Sequence, residues 1–141
     1  MKTRNDSEGG IFMARVKFYL CKHCGNLVTM IEDSGVNPDC CGEPMEELKP
    51  NTNDAKHLPY LKKQGDKVTV TVGDEKHPIS PEHSILWICL ETTKGFLLKY
   101  IHQEYVSQSD TPKAIFYIID EEPVATYCYS NLHGLWMVDA K

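Results

Sequence analysis

The sequence predicts a mainly β protein, built from a small cysteine-rich N-terminal module followed by a larger antiparallel β-sandwich. Three observations point there. Four cysteines, Cys21, Cys24, Cys40 and Cys41, crowd into one short stretch. Residues 49–54, Lys-Pro-Asn-Thr-Asn-Asp, form a turn-rich linker of breakers and short polar residues. Beyond it, short runs rich in β-branched and aromatic residues are divided by turn signals, with no long amphipathic helix and no internal repeat. The expected layout is a disordered leader over 1–13, the cysteine module over 14–48 and the sandwich over 49–141.

Bulk properties narrow the class. The chain has 141 residues, 41% of them hydrophobic, and a formal net charge of −5. That suits a folded soluble protein, and no apolar run approaches the roughly 18 residues of a membrane span. An acidic balance argues against a general nucleic-acid binder, yet permits a local positive patch that draws in a small anion. The first twelve residues are polar, carry Gly9 and Gly10, and lack a signal-peptide pattern, so a cytoplasmic setting is expected, with Met13 an alternative start. In such a reducing compartment clustered cysteines bind metal more often than they form disulfides.

The elements follow in order. Residues 16–20 and 27–31 are short apolar alternations on either side of the knuckle Cys24-Gly25-Asn26. Residues 67–72, Lys-Val-Thr-Val-Thr-Val, alternate strictly and end on the turn Gly73-Asp74. Further strands are expected over 84–91, 95–101, 114–119, 124–129 and 135–138.

Cys21-Lys22-His23-Cys24-Gly25 is a CxxC knuckle, in which Gly25 supplies the positive φ the turn requires. Two thiolates so spaced grip one ion while backbone amides hydrogen-bond to the sulfurs. Cys40-Cys41-Gly42 completes a set of four, and sulfur-only tetrahedral coordination suits zinc or a single iron. Adjacent ligands are unusual and imply a strained, widened bite. A zinc staple for a module too small to hold a large core is the plain alternative. His23 is expected at the surface, because four thiolates already saturate a metal.

Of the other histidines, His57, His77, His83 and His133 stand at loop–strand junctions beside proline or glycine, where a sandwich gathers its loops. Four on converging loops suggest a second metal site. His102, between Ile101 and Gln103, has no such context and reads as structural or exposed.

The succession CxxCGN, CCGEPM, KHxP, HPxxxxH and a terminal NLHG(x)W resembles desulfoferrodoxin, the two-iron superoxide reductase family, over about residues 17–136. The resemblance implies a desulforedoxin-like module with an FeCys4 centre at Cys21, Cys24, Cys40 and Cys41. It also implies an immunoglobulin-like sandwich with a second mononuclear non-haem iron held by His57, His77, His83 and His133. An axial cysteine thiolate would oppose the position where superoxide is reduced by one electron to hydrogen peroxide. Lys56 matches the family's lysine that attracts superoxide and helps deliver a proton. The family further implies an external electron donor such as a rubredoxin-type protein, and a homodimer. No nucleic acid and no membrane partner are expected, and zinc can substitute for iron.

Two positions depart from the family. Three residues before His133, where the family has cysteine, stands Ser130, a hard and poor ligand whose presence is expected to weaken reductase activity. Cys128 is the conceivable substitute, on the same face of a strand but roughly 6–7 Å away, so that a bulge or shifted loop would be needed. Otherwise Cys128 is a buried thiol, as Cys89 is expected to be. Ala55 replaces a glutamate that precedes the lysine in many members, leaving water or hydroxide for that position. Glu75 and Glu82 read as solvated loop charges. The leading expectation is a superoxide reductase whose FeCys4 centre is an auxiliary electron carrier. Beside it stand an electron-transfer or metal-binding protein with a weakened second site, and a zinc-ribbon interaction module, which leaves the histidines unexplained.

Overall fold

The computed structural model of the chain describes residues 14–53, 58–73, 85–101 and 112–140. The chain divides into two compact units between Lys49 and Pro50. Every regular element among the described residues is a β-strand. Among those residues no helix is long and apolar enough to cross a membrane.

In the first unit a central strand, β1 (Phe18–Leu20), pairs antiparallel with β2 (Leu27–Thr29) on one side and β5 (Glu46–Glu47) on the other. A hairpin of β3 (Asp39–Cys40) and β4 (Glu43–Pro44) stands apart from that sheet. The core is small: Tyr19, Cys21 and Met45, with Met30 and Cys40 packed against them. Strands this short bury little apolar surface, so the unit needs a further source of stability.

The second unit is a sandwich of two antiparallel sheets. One carries β10 (Lys113–Tyr117), β7 (Lys67–Val72) and β6 (Pro59–Gln64) in that order. The other runs β12 (Gly134–Asp139), β11 (Pro123–Ser130), β8 (Ile85–Thr92) and β9 (Gly95–Tyr100). Among the described residues, seven strands in two sheets match the immunoglobulin plan. The fourth strand, β9, pairs with β8 and so lies in the sheet opposite the one it joins in constant-type domains. Alternation sets the inner faces: Val68, Val70 and Val72 from β7 meet Ile88 and Leu90 from β8, with Phe116 and Cys128 in the same core.

The strand the sequence pattern missed is β6. Proline opens it and Lys62-Lys63-Gln64 is exposed, so it has no clean alternation. Its position explains this, because an edge strand pairs on one side only and tolerates a proline as its first residue. The strand β10 also ends earlier than its apolar run suggests. Ile118 donates its N–H to the Asp66 carbonyl at 2.9 Å, and Asp120 adopts a φ of 59°.

The central strands β8 and β11 are buried on both faces. On the outer face of their sheet Trp87 stacks on Tyr129, with ring centroids 5.5 Å apart. On the same face the Tyr127 hydroxyl donates to the buried Glu91 carboxylate at 2.8 Å. Burial, followed by the negative charge of Glu91, pushes the Tyr127 phenol well above its ordinary value.

Candidate metal centre

The first knuckle forms because Cys21 N–H donates to the Asn26 carbonyl at 2.9 Å and Gly25 N–H returns to the Cys21 carbonyl at 2.8 Å. Gly25 takes a φ of 84°, which closes the turn. The second knuckle is the hairpin between β3 and β4. Cys40 pairs with Glu43, leaving Cys41 and Gly42 as a two-residue loop with φ of 53° and 80°. Two left-handed residues in succession make a type I′ turn, the connection that matches strand twist. The adjacent cysteines are thus the last strand residue and the first turn residue. The strain of adjacency is borne by the Cys41 backbone, at a cost on the order of 1–2 kcal/mol for a side chain in that region.

This folding brings all four sulfurs within 4.8 Å of one another. Cys24 and Cys40 sulfurs are 3.5 Å apart and those of Cys40 and Cys41 4.0 Å. Tetrahedral metal–sulfur bonds of about 2.3 Å place sulfurs about 3.8 Å apart, so the donor set fits one ion. All six cysteines are free thiols, and among the described residues this is the one cluster of metal-ligating side chains. Cys21 is buried, Cys40 half-buried, and Cys24 and Cys41 exposed.

The electrostatics of the four sulfurs favour a cation among them. Backbone N–H groups of Cys24, and then His23, aimed at the Cys21 sulfur pull its pKa down to about 6 against the opposing effect of burial. Sulfur contacts with Cys24 and Cys21 push Cys40 up to about 12, and the Cys41 thiol is raised for the same reason. Like charges crowded together cannot all ionise unless a cation joins them. Across the two knuckles, the exposed His23 Nε2 lies 2.7 Å from Glu43 Oε1. At that exposure Glu43→Gln is expected to cost less than about 1 kcal/mol, read as a denaturation midpoint of the metal-loaded protein.

The histidine set is described in part. Lys56, His57, His77 and His83 lie outside the described residues, as do Ala55, Glu75, Glu82, His102 and the leader over 1–13. His133 is exposed in the turn joining β11 to β12. Ser130 is fully buried at the end of β11, and its Oγ accepts hydrogen bonds from the N–H groups of Leu132 and His133, both at 3.2 Å. Gly134 completes the turn with a φ of 80°. Because nothing lies within 4 Å of a Cβ built there, Gly134→Ala is expected to cost only backbone strain. About 1 kcal/mol at unchanged m-value is the outcome to look for in urea unfolding.

Cys128 sits opposite Ile88 and Trp136 with its thiol inside the sandwich core. Burial there raises its pKa to about 12. The pairing of β11 with β8 slips twice, between Pro123 and Ala125 and again between Tyr129 and Ser130, and Cys128 lies in the regular register between the two. Cys89 points to the opposite face of the sheet and is also fully buried. The sequence pattern carries no sign of Glu91 as a buried carboxylate, since its signal is a lone charge ending an apolar run. Its partner, Tyr127, lies 36 residues away.

Comparison with known proteins extends this picture. The desulfoferrodoxin family model matches residues 49–139. Desulfoferrodoxin from Nitratidesulfovibrio vulgaris is 38% identical over 127 residues, covering 88% of this chain and 96% of the relative. Superoxide reductase from Thermococcus kodakarensis is 36% identical over 94 residues, 57% of this chain and 82% of that protein. Among solved structures, the superoxide reductase from Treponema pallidum superposes with a TM-score of 0.73 at 31% identity, covering 89% of this chain and 98% of that one. With the sandwich matched by the family and the four-cysteine knuckles preceding it, the chain belongs to the desulfoferrodoxin family.

Proposed function

We propose that the protein is a superoxide reductase, converting superoxide to hydrogen peroxide with one electron and two protons. What carries the reading is similarity along nearly the full length to a superoxide reductase of solved structure. The chain's own residues divide the work. Cys21, Cys24, Cys40 and Cys41 hold one iron, and two of these ligands are exposed, giving an external donor such as a rubredoxin-type protein a surface at which to deliver electrons. His57, His77, His83 and His133 hold a second iron, with His133 presented on a turn at the end of β11. Lys56, beside His57 in sequence, supplies positive charge that attracts a small anion in a protein that is acidic overall. Iron, when bound, supplies the single electron that superoxide takes up. Zinc fits the thiolate site equally well by geometry.

Six free thiols suit a reducing, cytoplasmic setting. Exposed Val28, Ile31 and Val36 on a unit with so small a core suit a homodimer. The test is stoichiometry. Reduced, iron-loaded protein exposed to a superoxide pulse is expected to yield one peroxide for each superoxide and no dioxygen. Evolution of dioxygen, or persistence of superoxide, would refute it. The second reading, an electron-transfer or metal-binding protein with a weakened second centre, is favoured by one observation, the serine at position 130. It predicts a normal thiolate-centre spectrum with slow superoxide decay.

A further inference from the structure

Ser130 is fully buried, and its oxygen is engaged by two backbone donors, the N–H groups of Leu132 and His133, each at 3.2 Å. A neutral hydroxyl offers two lone pairs and one proton. Both lone pairs are therefore directed at the turn. Without that oxygen, the two amides at the head of the hairpin would lose their side-chain acceptor. These same bonds fix the backbone from which the His133 imidazole projects.

We infer that Ser130 is a positioning residue for His133 and not a metal ligand. The inference rests on the superoxide-reductase reading for the presence of that centre. To coordinate an ion as a neutral alcohol, Ser130 would have to surrender one of its two N–H bonds and open the turn that carries His133. Cys128 does not take its place, because its thiol is packed in the core with Val70, Ile88 and Leu90 and the residue lies in regular pairing between the two slips of β11 against β8. A divalent ion held by neutral imidazoles without a thiolate would keep its full double charge, where a thiolate would cancel one unit. It would then bind small anions more tightly than a thiolate-ligated ion and depend more on the aim of each imidazole.

The test uses the full chain with Ser130 as found and as Ser130→Ala, Ser130→Thr and Ser130→Cys. Amide exchange at Leu132 and His133 is expected to accelerate at least tenfold in the alanine variant and to return to the parental rate in the threonine variant. Cobalt(II) retention at the second centre is expected to fall about 10–100-fold with alanine, as when an outer-shell partner is lost, and to recover with threonine. Azide should bind the cobalt(II)-loaded parent more tightly than the cysteine variant, which alone gains a thiolate charge-transfer band. In an iron-loaded crystal, Ser130 Oγ is expected more than about 3 Å from the metal with both N–H bonds kept. An Oγ within about 2.2 Å of the metal overturns the inference. Unchanged amide exchange in the alanine variant does so as well. Should alanine prevent folding, the threonine variant and the iron-loaded crystal still decide. If no variant retains cobalt(II) at that centre while the amide pattern holds, it is the superoxide-reductase reading that falls and the turn-holding role that stands.

Discussion

Cys21→Ala is expected to unfold the first unit while leaving the sandwich folded. Cys21 serves two purposes there: its sulfur is one of four ligands, and its side chain is one of three residues forming the core. Strands of two and three residues cannot hold that unit together unaided. A structural four-thiolate site is worth roughly 10–16 kcal/mol at neutral pH, far more than burial of Tyr19 and Met45 supplies. Hydrogen exchange read by mass spectrometry should show protection lost over Phe18–Leu20 and Leu27–Thr29 and retained over Lys67–Val72, Ile85–Thr92 and Pro123–Ser130. A strong chelator acting on the unmodified protein should produce the same map. Persistence of protection in the first unit after metal removal would show that the knuckles fold without an ion.

Alkaline pH should bring down the sandwich. Cys128, Cys89 and Tyr127 are all buried in neutral form, and desolvation raises each one, Cys128 to about 12. A group whose folded pKa exceeds its unfolded value gives stability that is complete below the unfolded pKa and is lost as pH rises toward the folded one. For the two thiols the loss begins near pH 8.5–9, where cysteines of the unfolded chain ionise, and for Cys128 it continues to about pH 12. Each thiol removes on the order of 1 kcal/mol per pH unit in that window, so by pH 11 the two together cost several kcal/mol. Tyr127 joins above about pH 10. Urea midpoints of the metal-loaded protein, followed from pH 7 to 11 by sandwich fluorescence, should fall progressively above pH 9. Cys89→Ala should make that decline shallower even though it starts from lower stability. A midpoint independent of pH over this range would show that these groups ionise in the folded state.

The sandwich was legible where one face is wet and one dry. The alternation Lys67 to Val72 gave β7 without ambiguity, because its Thr and Lys side chains face out and its valines face in. The strand β6 was not legible, since an exposed edge imposes no pattern on Lys62, Lys63 and Gln64. The thiolate site could be read because its ligands are local in sequence and because a free, clustered set of cysteines has few other uses. How Cys41 reaches the cluster could not be read, as the type I′ turn is a property of two backbone angles. At Ser130 the sequence shows a serine three residues before His133 but not what its hydroxyl engages. The two N–H bonds to its oxygen depend on how the following turn closes, and one buried hydroxyl reads the same on paper whether it coordinates or holds a loop.

The uneven burial of the four sulfurs gives the thiolate centre a front and a back. Cys21 seals the back against the small core, with its sulfur held by backbone donors, while Cys24 and Cys41 stand at the front in open solvent. Traffic of any kind, whether an electron from a docking partner, a competing thiophilic metal or an oxidant, meets those two sulfurs first. The centre should therefore wear out from one side: alkylation or oxidation would mark Cys24 and Cys41 early and Cys21 last.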